Sequence, residues 1–347
     1  MRKTIAIRAD ASPSIGVGHI VRCVALAEAW IDLGGDAILV ACGPRVVLDA
    51  LAGEIPLRWL GADGAALSDD SARFLSVACE VGATVAVIDS YRHSLTWETT
   101  ARDAGLTVLA MDDLASRQHD CDFILDTSVT INDADLYRDK ITDRTICLLG
   151  SSYVLLRRAF RLAHFSQRPV GPIRRLLISF GGTDPQNRTS SALDAVECSG
   201  MSEMIVDVVA SSSNPHVPTL RNRTSACANV AIHVDTPEMP RLMAAADLGI
   251  GAAGSTAWER CRAGLPTLMV EAADNQRGIA KWLHAEGVVR CVSGEGDSFT
   301  KNLTQSLLAA LTDSEWRSFA SCRAMKLVDG LGAVRVSQRL MGLPVTG

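Results

Sequence analysis

Short runs of β-branched and aliphatic residues alternate along the chain with longer stretches of helical period, the pattern of βαβ units and parallel sheets. In the first half the strand candidates are 4–8, 37–41, 84–89, 107–111, 122–126 and 145–149. In the second they are 175–180, 204–210, 229–234, 248–251, 266–270 and 288–292. After the first strand, Ile20, Val24, Ala27 and Ile31 fall on one face of a helix that ends near Gly34-Gly35. Between the two sets, the stretch from His164 to Pro172 contains two prolines and a glycine and holds no period, as a linker should. The expected fold is α/β, with two tandem Rossmann-like domains and a cleft between them: 1–163, a linker at 164–173, and 174–314. The last stretch, 315–347, reads helical and is free to pack across either half.

In open α/β sheets ligands sit outside the carboxyl ends of the strands, so chemistry is sought in the loops that follow them. Composition narrows what that chemistry meets. The 347 residues are 48% hydrophobic and 21% charged, an ordinary globular balance, and 34 basic against 39 acidic residues leave a net charge of -5. No basic field is present to hold nucleic acid or an anionic membrane surface, so a bound phosphate must be gripped locally. Ten cysteines are scattered singly, without a C-x-x-C pair or a histidine at ligand spacing, and read as buried small hydrophobes in a reducing compartment. Neither a metal nor a cofactor is expected. Arg8 and Asp10 interrupt the N-terminal apolar run too early for a signal peptide, and no run approaches 18 apolar residues. The expected location is the cytoplasm.

Three loops stand out. The first, Asp10 to His19, carries Gly16 and Gly18, which let backbone approach a ligand, and ends in His19 at a helix start. There the positive end of the helix dipole, with Arg22 one turn on, disfavours imidazolium, and a neutral imidazole is able to act as a general base. The alternative is a histidine that only packs against its helix. The second loop, Ala252 to Thr256, opens a short helix with small residues suited to a diphosphate, the Ser255 and Thr256 hydroxyls adding donors. Glu259 either accepts from ribose hydroxyls or closes a capping box with Thr256. The third, Gly181-Gly182-Thr183-Asp184, repeats the anion-binding logic or is a plain tight turn. Asn275 and Gln276 offer neutral amides for acetamido or phosphate groups, unless they are solvated loop. Asp89-Ser90-Tyr91 and Asp112-Asp113 follow strands but carry little weight as acidic strand ends.

Taken in order, these loops resemble those of one family, the UDP-sugar hydrolases of pseudaminic acid biosynthesis. The likeness runs through Arg8-Ala9-Asp10-Ala11-Ser12, Ile15 to His19, Asp89-Ser90-Tyr91, Asp112-Asp113 and Ser152 to Arg157 with Phe160. It continues through Gly181 to Asp184 with Asn187, Ser211 to Pro215, Gly254 to Glu259 and Asn275-Gln276. The resemblance implies a GT-B fold and hydrolysis of UDP-2,4-diacetamido-2,4,6-trideoxy-β-L-altropyranose to UDP and the free sugar. It implies His19 as the base that activates water, Arg157 and Glu259 in contact with substrate, Ser255 and Thr256 at the diphosphate, and Tyr91 and Asn275 near the sugar. Asp10, Gly16, Gly18, Gly182 and Gln276 complete the expected substrate-binding set. The partner is a small UDP-sugar, with no nucleic acid and no membrane. Two competing readings are a GT-B glycosyltransferase with a UDP-N-acetylhexosamine donor and a nucleotide-sugar-binding protein without catalysis.

Overall fold

A computed structural model describes residues 2–12, 15–62, 67–128, 135–168, 171–200, 203–271 and 276–345. The chain divides into two units, Met1–Arg161 together with Gly330–Gly347, and Leu162–Asp329.

In the first unit the strands are β1 (Thr4–Asp10), β2 (Asp36–Cys42), β3 (Leu57–Gly61), β4 (Ala83–Asp89), β5 (Thr107–Met111), β6 (Phe123–Asp126) and β7 (Ile146–Leu149). They form one parallel sheet in the order β3-β2-β1-β4-β5-β6-β7. The helices are α1 (Gly18–Asp32), α2 (Arg45–Ala52), α3 (Leu67–Glu80), α4 (Leu95–Asp103) and α5 (Arg158–Leu162), which reaches the unit boundary; α13 (Gly332–Met341) joins from the far end of the sequence. Alternation along β1 sorts its side chains: Ile5, Ile7 and Ala9 enter one apolar layer with α1, α2 and α13, while Ala6 enters the other with Phe74 of α3 and Trp97 of α4.

The same alternation puts Arg8 and Asp10 on the α3 face of the central strand, where Arg8 is 1% exposed. A guanidinium there needs counter-ions nearby. Asp70 of α3 accepts from Arg8 Nε at 3.0 Å and from Nη2 at 2.7 Å. Asp10 closes on Nη1 and accepts from Nη2 at 3.2 Å.

Strand β3 was not expected. Its sequence, Leu57-Arg58-Trp59-Leu60-Gly61, follows Pro56, and it lies half-buried at the sheet edge with a register shift against β2, so it lacks the apolar run that marks the inner strands. Ile31, expected on the buried face of α1, is instead 37% exposed in the last turn.

The second unit contains β8 (Arg175–Ser179), β9 (Ile205–Ala210), β10 (Val230–Val234), β11 (Leu248–Ala252), β12 (Thr267–Val270) and β13 (Val289–Val292) in the parallel order β10-β9-β8-β11-β12-β13. Around them lie α6 (Arg188–Cys198), α7 (Val217–Thr224), α8 (Met239–Ala245), α9 (Thr256–Arg262), α10 (Arg277–Ala285), α11 (Gly296–Thr312) and α12 (Ser314–Leu327). Ile178 and Ile250 of the central strands pack with Ala192, Phe299 and Leu303 from α6 and α11.

The C-terminal stretch is thus two helices with separate destinations. α12 stays in the second unit, and α13 returns to the first. There Ala333, Val336 and Leu340 are buried against the α1 layer, Lys3 Nζ donates to the Met341 carbonyl at 2.9 Å, and Arg335 donates to the Ser152 carbonyl at 3.0 Å. Gly332 makes this docking possible, since a Cβ on it would lie 2.3 Å from the Val154 carbonyl oxygen. No helix among the described residues is long and apolar enough to cross a membrane.

Candidate active site

Each sheet changes winding direction between its first and fourth strands in chain order, and at such a switch point the loops leave a crevice at the strand ends. In the first unit the switch lies between β1 and β4, and the loops there are 11–17 and 90–94. The first folds back on itself: Gly16, at φ +73°, donates its amide to the Ser12 carbonyl at 2.8 Å, and the Ile15 amide reaches Ser12 Oγ at 3.2 Å. Helix α1 then starts at Gly18, where a Cβ would meet nothing within 4 Å, and no described side chain caps it. The first-turn amides of Gly18 and His19 have no partner within the helix.

His19, on the first turn, is 8% exposed. Its Nδ1 lies 2.6 Å from Oδ1 of Asp89, the last residue of β4. Arg22, one turn further, grips the same carboxylate, Nε on Oδ2 and Nη2 on Oδ1, and its Nη1 donates to Asp113 at 3.2 Å. Burial opposes ionisation of Asp89, but Arg22 and then His19 outweigh it and hold the carboxyl well below the usual range. The Arg22 guanidinium is likewise desolvated, and Asp89 and Asp113 keep it charged. Tyr91 sets its ring edge-on to His19, centroids 5.0 Å apart at 83°. His19 and Tyr91 are therefore in contact, at the end of the loop that carries Gly16 and Gly18.

Asp10 is near them, with its carboxylate engaged internally. Besides Arg8, it accepts from Arg92 Nη2 and the Cys42 amide, at 2.7 and 2.8 Å. It ties the β4 loop, one residue past Tyr91, to the end of β1. Arg157 stands just before α5, and the amide of its neighbour Arg158 donates to Glu28, nine residues or about 13 Å along α1 from His19.

In the second unit the switch lies between β8 and β11. The β11 loop leads into α9 with Ser255 exposed, Thr256 half-buried and Glu259 buried. The capping box between Thr256 and Glu259 is not the arrangement found. Ser255 is the N-cap, so Thr256 is the first helical residue and Glu259 the fourth, one place beyond the position a capping box uses. Gln276 joins this group, since a Cβ on Gly254 would lie 3.6 Å from its Nε2. Asn275 lies outside the described residues.

The β8 loop departs from its anion-binding expectation. Asp184 is buried and its two oxygens accept the Arg188 and Thr189 amides at 2.8 and 2.9 Å, so the first turn of α6 already holds an internal carboxylate. Asp184 and Asn187 both adopt positive φ, 39° and 50°, which short polar side chains tolerate best. Gly182 stays exposed, its carbonyl accepting from Ser213 Oγ at 3.4 Å.

One group of candidate metal ligands does occur among the described residues: Glu98, His119 and Cys121, with donor atoms within 4.8 Å of one another. Sequence spacing hid it because Glu98 lies on a different element. The group does not suit a metal. Glu98 already accepts from Arg117 at 2.8 Å and the Asp120 amide at 2.8 Å, and both His119 nitrogens face carboxylates, Glu98 at 3.0 Å and Asp112 at 3.4 Å. Burial pushes the Cys121 thiol far up, away from the thiolate a metal needs.

Sequence reasoning passed over Asp89 as a common acidic strand end and did not see the Arg8, Asp70 and His93 cluster. Only the adjacency of β1 and β4 makes Asp89 the partner of His19.

Two parallel Rossmann-like sheets in tandem, each with a glycine-containing loop at its switch point, define an α/β protein of the GT-B type. No family model matches the chain. Over 82% of its length, and 97% of the relative's, it is 25% identical to the UDP-2,4-diacetamido-2,4,6-trideoxy-β-L-altropyranose hydrolase of Campylobacter jejuni. It is also 26% identical, over 56% of this chain and 58% of the other, to the spore coat polysaccharide biosynthesis protein SpsG of Bacillus subtilis. The resemblance noted from the loops thus extends through most of the sequence. Among solved structures, MurG of Acinetobacter baumannii superposes with a TM-score of 0.64 at 15% identity, covering 98% of this chain and all (100%) of the other. The spinosyn rhamnosyltransferase SpnG gives 0.67 at 18% identity, covering 99% of each. These last two likenesses are of fold.

Proposed function

We propose that the protein is an enzyme acting on UDP-sugars, and specifically that it hydrolyses UDP-2,4-diacetamido-2,4,6-trideoxy-β-L-altropyranose to UDP and 2,4-diacetamido-2,4,6-trideoxy-L-altrose. The observation that carries this reading is His19 at the start of α1, with Nδ1 turned to a carboxylate and Nε2 left without a hydrogen bond among the described residues. In this reading Nε2 takes a proton from water, the oxygen attacks the anomeric carbon, and the bond from that carbon to the β-phosphate oxygen breaks. UDP leaves with the bonding pair, and the proton on His19 passes to solvent. By resemblance to the family, Ser255 and Thr256, with the amides at the start of α9, would hold the diphosphate, Glu259 would accept from the ribose, and Gln276 and Tyr91 would serve the substrate. Arg157 has a substrate contact only by resemblance to the family.

General-base assistance is worth about 10²- to 10⁴-fold. His19→Ala should lower kcat by that factor while UDP affinity, read by calorimetry, changes less than about threefold. Activity within a few-fold of the parent would remove His19 from the mechanism. A glycosyltransferase would release UDP quickly only with an acceptor present, and a binding protein would not release it at all.

A further inference from the structure

The reading above needs His19 with a lone pair on Nε2, and nothing in an isolated imidazole secures that, because its two neutral tautomers are close in energy. We propose that Asp89, clamped by Arg22, is the positioning residue that fixes His19 with its proton on Nδ1 and stabilises the charge it gains during turnover. This inference rests on His19 being the base.

The geometry fixes which ring nitrogen donates to the carboxylate. Asp89 is 1% exposed and ionised, so its Oδ1, 2.6 Å from Nδ1, is an acceptor, and Nδ1 must be the donor. Arg22 Nη2 also lies 3.2 Å from Nδ1, but a guanidinium only donates, so that contact is not a hydrogen bond to a protonated nitrogen. Both groups instead share Oδ1, while Arg22 Nε takes Oδ2. Among the described residues, the groups that contact the pair come from three elements. Arg22 and Cys23 come from α1, Tyr91 from the β4 loop, and Asp113 from the β5 loop by way of Arg22. Cys23 points Sγ at Asp89 Oδ2 at 3.6 Å and stays a neutral thiol because burial and Asp89 both push it up.

The charges then sum in a useful way. Asp89 and Asp113 contribute two negative charges and Arg22 one positive. The cluster therefore carries one net negative charge around neutral His19, and none once His19 has taken the proton. Fixed charges that are better balanced after proton transfer than before it favour the transition state without reorganisation. Arg22 also keeps Asp89 from collapsing onto another partner. Two of its nitrogens occupy the carboxylate, Nη2 on the oxygen shared with the ring and Nε on the other, and Asp113 holds the third.

The first test is the nitrogen-15 spectrum of the parent protein with labelled histidine, the His19 signal being identified by its loss in His19→Gln. In the neutral ring the proton is expected on Nδ1 and the lone pair on Nε2; the reverse pattern overturns the proposal. This needs no variant of Asp89 to fold, and it reads the resting protein whether or not His19 proves to be the base. The second is Asp89→Asn. Its amide would donate to Nδ1 and move the imidazole proton to Nε2, so kcat should fall by a factor on the order of 10⁴ with KM within about threefold. The same spectrum of the variant should show the tautomers exchanged. An Asp89→Asn protein with kcat within about threefold of the parent, or with the parent's tautomer, overturns the proposal. If His19→Ala leaves activity intact while the parent spectrum shows Nδ1–H, the base assignment fails and the positioning geometry stands.

Discussion

Replacing Asp70 with Asn tests how strongly the loops of the first unit depend on a buried ion cluster. Asp70 receives Arg8 at 2.7, 3.0 and 3.1 Å, His93 Nε2 at 2.6 Å and Trp97 Nε1 at 3.1 Å. An amide of the same shape has one oxygen. Whichever way it turns, its NH₂ faces either the guanidinium or the His93 and Trp97 donors, and the charge opposing Arg8 falls to Asp10 alone. Removing one partner of a buried ion pair costs about 3 to 5 kcal/mol, because the remaining charge stays desolvated. For a unit of this size that is a fall of about 6 to 20 °C in melting temperature. The exposed pair of Arg45 and Asp49, at a similar 2.9 Å, is worth only about 0.3 to 0.5 kcal/mol. Thermal unfolding followed with hydrogen exchange should place the loss in the first unit, with protection in 162–329 unchanged. A shift below about 2 °C, or protection lost equally in both units, would refute the argument that this carboxylate is held by burial and paired charge.

Acid should act on the same cluster. Asp70, Asp10 and Asp89 all have carboxyls held below the ordinary range, so each contributes stability that is present above about pH 4 and is lost as pH falls toward its folded value. Stability of the first unit should therefore decline below about pH 4, and Asp70→Asn should flatten that decline; parallel profiles would contradict the assignment. Gly332→Ala places a Cβ 2.3 Å from the Val154 carbonyl, so α13 must shift, at a cost of about 1 to 3 kcal/mol. Proteolysis near Gly330 should accelerate while the core of the second unit stays protected, and an unchanged cleavage rate would mean that α13 is not docked through Gly332.

What could be seen in the sequence follows from what each signal measures. The inner strands carry continuous β-branched runs because both faces are covered, and they stood out to within a residue or two. Strand β3 did not, since an edge strand with Arg58 and Trp59 half-buried has no such run. His19 was visible because a histidine beside two glycines at a helix start is local chemistry. Asp89 was not, because its meaning depends on β4 lying beside β1, and strand order is a tertiary fact. The α9 cap was misplaced by one residue, since a short polar run does not say which residue takes the first helical dihedrals. Asp184 shows the converse: a glycine pair before a polar helix start has the composition of an anion site, and here the anion is the chain's own carboxylate.

The most direct measurement is the release of UDP by the purified protein from UDP-linked 2,4-diacetamido-trideoxyhexose in the absence of any acceptor. UDP and the free sugar should accumulate together, one for one, at many turnovers per enzyme, with UDP-N-acetylglucosamine cleaved far more slowly. No release without an acceptor, or release only when a second sugar or lipid is supplied, would contradict hydrolysis as the reaction.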